Sequence, residues 1–163
     1  MLEARMAVNY KRFGEVAHSI FHQYNNVTIP FASGGSNPES GLDCGGFIVY
    51  CFARCGESLK IKGTNDLFRR PDRYHDSIEN AFKENWIVDG SLAFIVENDG
   101  GEREHGYDDN LGNAIAAGIV YNNMIIYYSK KNQAILEAEV KNRALKNWWS
   151  HIKHIDNLVS YYD

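Results

Sequence analysis

No stretch of the 163-residue chain is both long and apolar enough to cross a bilayer, for which about 18 consecutive apolar residues are needed. No apolar run follows the first residues, MLEARMAVNYKRFGE, so a secretory leader is not visible. The expectation is a protein delivered by another route, one held in the cytoplasm until release, or one already relieved of its leader. Positive charge is in deficit: 17 Lys and Arg against 21 Asp and Glu leave a net charge of −4, which removes the electrostatic case for a nucleic-acid partner. Cysteine is scarce. Three residues, Cys44, Cys51 and Cys55, are an odd and crowded set rather than a disulfide framework. Cys51 and Cys55 are i,i+4 neighbours, a poor disulfide geometry, and a zinc site would want more Cys or His at short spacing. No metal site is therefore expected. Repeats, low-complexity tracts and linkers are missing as well, which leaves residues 1–163 as one domain with room for one core.

Apolar residues make up 44% of the chain, an ordinary share for a globular protein, which excludes disorder. Aromatics reach 13%, with ten Tyr and eight Phe. A ring-rich core is the ordinary account of them, and a ring-lined groove is the other. Phe13, Val16, Ala17, Ile20, Phe21 and Tyr24 recur at helical spacing, so residues 1–28 hold an N-terminal helix. His18 and His22 sit on it at i,i+4. A zinc-peptidase helix would carry a glutamate directly after the first histidine, but Ser19 stands there.

The segment NNVTIPFASGGSNPESGLD, residues 25–43, is rich in turn formers. A second helical stripe follows, Cys44, Phe47, Ile48, Cys51, Phe52 and Cys55, with Gly56 as its stop. Residues 57–85 read as loop with a short helix near 77–83. SLAFIV (91–96) reads as a strand, and 98–113 as a polar loop. AIAAGIVY and MIIYY, joined by Asn122-Asn123, read as a β-hairpin. AILEAEV alternates like a strand, though its composition also suits a helix. Helices first and an antiparallel sheet after them define an α+β arrangement.

Cys44 stands in the first turn of its helix, in GLDCGGF. A thiol there feels the unpaired N–H groups and the positive end of the helix dipole. Both favour thiolate and would lower its pKa, and the same N–H groups can hold an oxyanion. Gly45 and Gly46 offer no side chain to shield the sulfur. The alternative is a buried structural cysteine at a helix start.

The stretch IPFASGGSNPESGLDCGGFIVYCFARCG resembles the signature of the NlpC-type cell-wall peptidases, cysteine enzymes of papain-like fold. Pro30-Phe31, Gly34-Gly35, Asp43-Cys44-Gly45-Gly46-Phe47 and Gly56 fall in the family's order. VDGSLAF, AAGIVYNNMIIYYS and WWSHIKHIDNLVSYYD are similar to its later strands, and the resemblance spans residues 29–163. It implies a papain-like α+β fold in which the nucleophile-bearing helix packs on an antiparallel sheet. It also implies action on the cell wall, with cleavage of γ-D-glutamyl–diamino-acid bonds in peptidoglycan stem peptides and no cofactor. Cys44 is then the nucleophile, and Phe31, Gly34, Gly35, Asp43 and Gly45 border the substrate.

The chain departs from that pattern where the family keeps its general base, two residues before the hairpin glycine. Counting back from Gly118 gives Ala116, which cannot move a proton. Tyr127 or Tyr128 occupies the region of the family's third polar residue. Three readings stay open. The base of a family member has been replaced on purpose, which leaves this chain inactivated, the chain is a natural pseudoenzyme that binds peptide without cutting it, or His105 supplies the base from the polar loop. A structural or peptide-binding module of a phage or mobile element is the alternative class, and carrier, phage-tail or immunity partners are left open. If the row Ala116, Gly118, Val120 covers the cysteine helix, an imidazole at 116 would reach Cys44.

Overall fold

The first helical stripe does what its period demands. In the computed structural model, which describes residues 10–61, 63–69, 74–75, 77–97, 113–140, 149 and 151–154, helix α1 (Tyr10–Gln23) buries Phe13, Ala17 and Ile20 and leaves Lys11, Glu15 and Ser19 exposed. A two-stranded ribbon follows, β1 (Ser36–Asn37) with β2 (Gly41–Leu42). Helix α2 (Cys44–Arg54) then starts on Asp43, whose side chain accepts from the Gly46 N–H. It ends as Gly56 predicts. Gly56 has φ of +80°, its N–H donates to Ala53 O at 2.9 Å, and the Glu57 N–H donates to Phe52 O at 2.9 Å, the paired closure of a left-handed helix stop. Phe13 of α1 and Phe52 of α2 stack with ring centroids 4.0 Å apart, which joins the two helices at the centre of the core.

The main sheet has six antiparallel strands in the order β3-β8-β4-β5-β6-β7: β3 (Tyr74–His75), β4 (Leu92–Glu97), β5 (Asn113–Tyr121), β6 (Met124–Ser129), β7 (Ala134–Glu139) and β8 (His151–Lys153). Asn122 and Asn123 have φ of 51° and 62°, the left-handed pair that a tight two-residue hairpin requires. AILEAEV takes its strand alternative as the edge strand β7, paired along its length with β6. The mixed helix and antiparallel sheet are the α+β architecture expected of the sequence.

Two apolar layers form. One face of the sheet gives Leu92, Phe94, Ala117, Ile119, Ile126 and Tyr128 to α1 and α2. The other gives Ala93, Val120, Ile125 and Ile152 to a second cluster with Ile78 and Ala81. These last two lie on α4 (Ile78–Lys83), which is capped by Ser77. The sequence led us to expect one short helix between 57 and 85. Among the described residues there are two, because α3 (Thr64–Phe68) buries Leu67 and Phe68 against the α1–α2 layer. Among the described residues no helix is long and apolar enough to cross a membrane.

Candidate functional site

Asp43 builds the site. Its Oδ1 accepts from the Gly46 N–H and its Oδ2 from the Gly34 N–H, each at 2.6 Å. One carboxylate thus caps α2 and fastens the 34–35 loop across the start of the helix. Ionised acceptors make the stronger bonds, so the residue beside Asp43, Cys44, is held in a fixed place. The glycines that seemed to leave the helix start bare have the opposite task. Gly46 is buried, and a Cβ there would overlap the Gly35 carbonyl. Gly45 is also buried, and its Cβ would meet Thr64 N at 3.0 Å. The pair lets the 34–35 loop and the start of α3 close onto the helix.

Cys44 is half-buried. Its thiol donates to the Tyr128 carbonyl at 3.4 Å. The β5–β6 register runs from Tyr121↔Met124 to Gly118↔Tyr127, and the sulfur lies at the next two residues, beside the Ala117 backbone amide and the Tyr128 carbonyl. Burial pushes the thiol above its ordinary value, and the Asp43 charge adds to this. The Ala117 amide, the Cys44 amide and Lys130 act the other way without overcoming it. The expected acid shift from the helix terminus is therefore reversed. Desolvation penalises the thiolate more than the dipole favours it. The apolar stripe of α2 predicts both other cysteines to be small core residues; Cys51 is buried, but Cys55 is half-buried at the helix end, with its Sγ 3.9 Å from Arg12 O.

Phe31 is 38% exposed, bridges to Leu42, and carries the Lys130 ammonium 4.3 Å above its ring. Gly34 is exposed with φ of +73°. Beside the Asp43 cap opens a cavity of about 240 Å³ lined by Gly34, Ser36, Asp43, Gly46, Val49, Leu59, Lys60, Ile61 and Gly63. Cys44 does not line it.

Ala116 pairs with Ile95 and shares its row with Gly118 and Val120, and Val120 packs in the second cluster. The row that meets α2 is Ala117 and Ile119, so the condition under which an imidazole at 116 would reach Cys44 is not met. The strand is irregular just before this point: the pairing shifts between Ile95 and Val96, which leaves Ile115 without a partner in β4 and 50% exposed. Tyr127 lies opposite Gly118, and its ring meets Trp149 edge-on at 5.1 Å. Burial first, then nearness to Cys44, raises its hydroxyl pKa. Tyr128 is fully buried and donates its hydroxyl to Ile29 O at 2.7 Å. His105 lies outside the described residues. His154 stacks on Trp86 at 3.9 Å, and His18 and His22 belong to α1; the hydrogen bond of the Cys44 thiol goes to a carbonyl. Among the described residues no group of three or more His, Cys, Asp or Glu is placed to hold a metal.

Two features were missed in the sequence. The Tyr128 carbonyl carries no side-chain signal at all. Lys130 was readable only as a charge following a strand.

A cysteine at the start of a helix that packs on an antiparallel sheet is the layout of a papain-like α+β domain. No family model and no curated protein matches the chain, but solved structures do. The chain is similar to the crystal structure of the NlpC/p60 domain of the peptidoglycan hydrolase SagA, with a TM-score of 0.58 and 17% identity over 91% of this chain and 100% of that one. It is also similar to the P60 domain of an M. avium subspecies paratuberculosis antigen, with a TM-score of 0.53 and 14% identity over 94% of this chain and 100% of the other. The fold is the NlpC type of the papain-like class.

Proposed function

We propose that the chain is a cysteine-peptidase domain acting on the stem peptides of the bacterial cell wall, with Cys44 as nucleophile. One observation carries this reading: Cys44 is the first residue of α2, next to a carboxylate that ties cap and loop together, with its sulfur half-exposed at the end of the hairpin. The likeness to a domain of a peptidoglycan hydrolase supports the substrate class. In this reading the sulfur attacks the carbonyl of a γ-D-glutamyl–diamino-acid bond, the amine leaves with a proton, and water releases the resulting thioester. N–H groups at the start of α2 face the developing oxyanion. The base has to come from a residue other than Ala116. His105 is the candidate, a histidine that lies in sequence between the end of β4 at Glu97 and the start of β5 at Asn113. Asp43 positions the nucleophile, and Phe31 and Gly34 border the peptide.

A second reading, peptide binding without cleavage, is favoured by the thiol itself. Its proton is given to the Tyr128 carbonyl, and burial holds that proton on. One experiment separates the two. Purified muropeptides are incubated with the wild type, Cys44→Ala and His105→Ala, and products and binding are followed by mass spectrometry and calorimetry. Cleavage lost in Cys44→Ala supports the peptidase. Loss in His105→Ala as well assigns the base. Binding by the wild type and Cys44→Ala without cleavage selects the second reading, and neither binding nor cleavage overturns both.

A further inference from the structure

Two histidines on α1 take no part in the Cys44 site, yet they are arranged as a pair. His18 and His22 lie one turn apart, with their Nε2 atoms 3.1 Å from each other. Their ring centroids are 4.4 Å apart and the planes meet at 87°. His18 is half-buried and lies against the Tyr121 ring of β5, with centroids 4.9 Å apart and planes 29° from parallel. The sheet therefore fixes one imidazole. His22 is exposed and can swing to meet it.

We infer that His18 and His22 form a surface chelate for a divalent transition-metal ion of the copper, nickel or zinc type. The bite is right. Two metal–nitrogen bonds of about 2.0–2.1 Å spanning the observed 3.1 Å subtend about 95–102° at the metal, between the square-planar and tetrahedral ideals. Imidazole is a ligand that these ions accept, and affinity along the series should rank copper above nickel and zinc. Without metal, the two nitrogens satisfy each other: one ring N–H donates to the lone pair of the other. Chelation needs both lone pairs. The donor ring then carries its hydrogen on Nδ1 instead of Nε2, a change of tautomer that releases no proton and leaves both rings neutral. Among the described residues no third ligand-type side chain joins the pair, so water fills the remaining positions on the exposed side.

The location gives this site its own readout. Tyr121 adjoins the Asn122–Asn123 turn, at the opposite end of the hairpin from Ala117 and the Cys44 sulfur. A bound ion would clamp the last two turns of α1, and binding to the folded state raises its melting temperature by mass action.

The test is a nickel(II) titration of the full chain, wild type against His22→Gln, by calorimetry and by thermal melting with and without the metal. His22 is exposed, so its replacement leaves the core intact. His18→Gln, which also removes the contact with Tyr121, is the second variant. The expected result is one nickel site in the wild type, a higher melting temperature with metal, and affinity weakened by at least about tenfold in either variant. Equal nickel affinity and an equal melting shift in the wild type and His22→Gln would overturn the proposal, since the cysteines, present in both, would then account for the binding.

Discussion

Replacing Asp43 by alanine separates two jobs that the carboxylate performs at once. Its Oδ1 closes the first turn of α2 through the Gly46 N–H, and its Oδ2 holds the Gly34 N–H, both at 2.6 Å. Loss of the cap costs about 1 kcal/mol. A hydrogen bond to a charged group is worth about 1.5–3 kcal/mol, and because Gly34 is exposed water will restore part of that, so the lower end applies. Together Asp43→Ala should lose about 2–3 kcal/mol. At about 2–4 °C per kcal/mol for a chain of this size, the melting temperature should fall by about 5–10 °C. Asp43→Asn keeps a good helix cap but turns an amide group toward one of the two N–H donors, so it should lose roughly half as much. Urea unfolding of the three proteins measures the free energies, and thermal melting the temperature shift. If Asp43→Ala loses less than about 0.5 kcal/mol, or if the asparagine variant is as unstable as the alanine one, the double duty assigned to this side chain is wrong.

Gly46→Ala should destabilise by about 1–3 kcal/mol in urea, although alanine is the better helix former by about 1 kcal/mol, because its Cβ overlaps the Gly35 carbonyl; a stabilised variant would contradict the close packing. Phe52→Ala should cost about 3–5 kcal/mol, since it removes a fully buried ring stacked on Phe13, and a midpoint shift worth under 1 kcal/mol would show that the α1–α2 contact is loose. Iodoacetamide on the folded protein should spare the fully buried Cys51, and the rate at Cys44 should keep rising with pH past the ordinary thiol value, because burial raises that group. The folded state therefore holds the Cys44 proton more tightly than the unfolded one. The associated stability is complete below the unfolded thiol pKa and is lost as pH rises through the folded one. Cys44→Ala should flatten that alkaline decline, and a decline unchanged in the variant would place its origin elsewhere.

Much of this was readable along the chain. The apolar stripe at i, i+3, i+4 and i+7 announced α2 from Cys44 onward, whereas the capping role of Asp43 was not read from it. Asn122-Asn123 announced the hairpin because few residues accept a left-handed backbone twice in succession. Other features left no local trace. Both faces of β5 are buried, Ala117 and Ile119 on one side and Gly118 and Val120 on the other. Alternation therefore could not say which row α2 would choose, and the placement of the row through Ala116 stayed a condition that the sequence could not resolve. Helix α3 is five residues long, too short for a period to show. Gly45 and Gly46 looked like open access because the chain segments that cover them come from residues 35 and 63–64. For the same reason the dipole acting on Cys44 was legible in the sequence and the strands that desolvate it were not.

The bond from the Cys44 thiol to the Tyr128 carbonyl joins residues 84 apart in sequence, and this separation orders events in time. Helices α1 and α2 are close in sequence and can pack early through the Phe13–Phe52 stack. The β5–β6 hairpin has to dock before Cys44 acquires its shield, and contacts of long sequence separation form slowly. During refolding the Cys44 thiol thus acts as a clock that is stopped by the arrival of the sheet. A pulse of alkylating reagent at successive refolding times would read it, with Cys44 protected only once the hairpin has docked. A nascent chain that has not yet emerged past residue 129 would carry an uncovered, more acidic and more reactive Cys44 than the finished protein does.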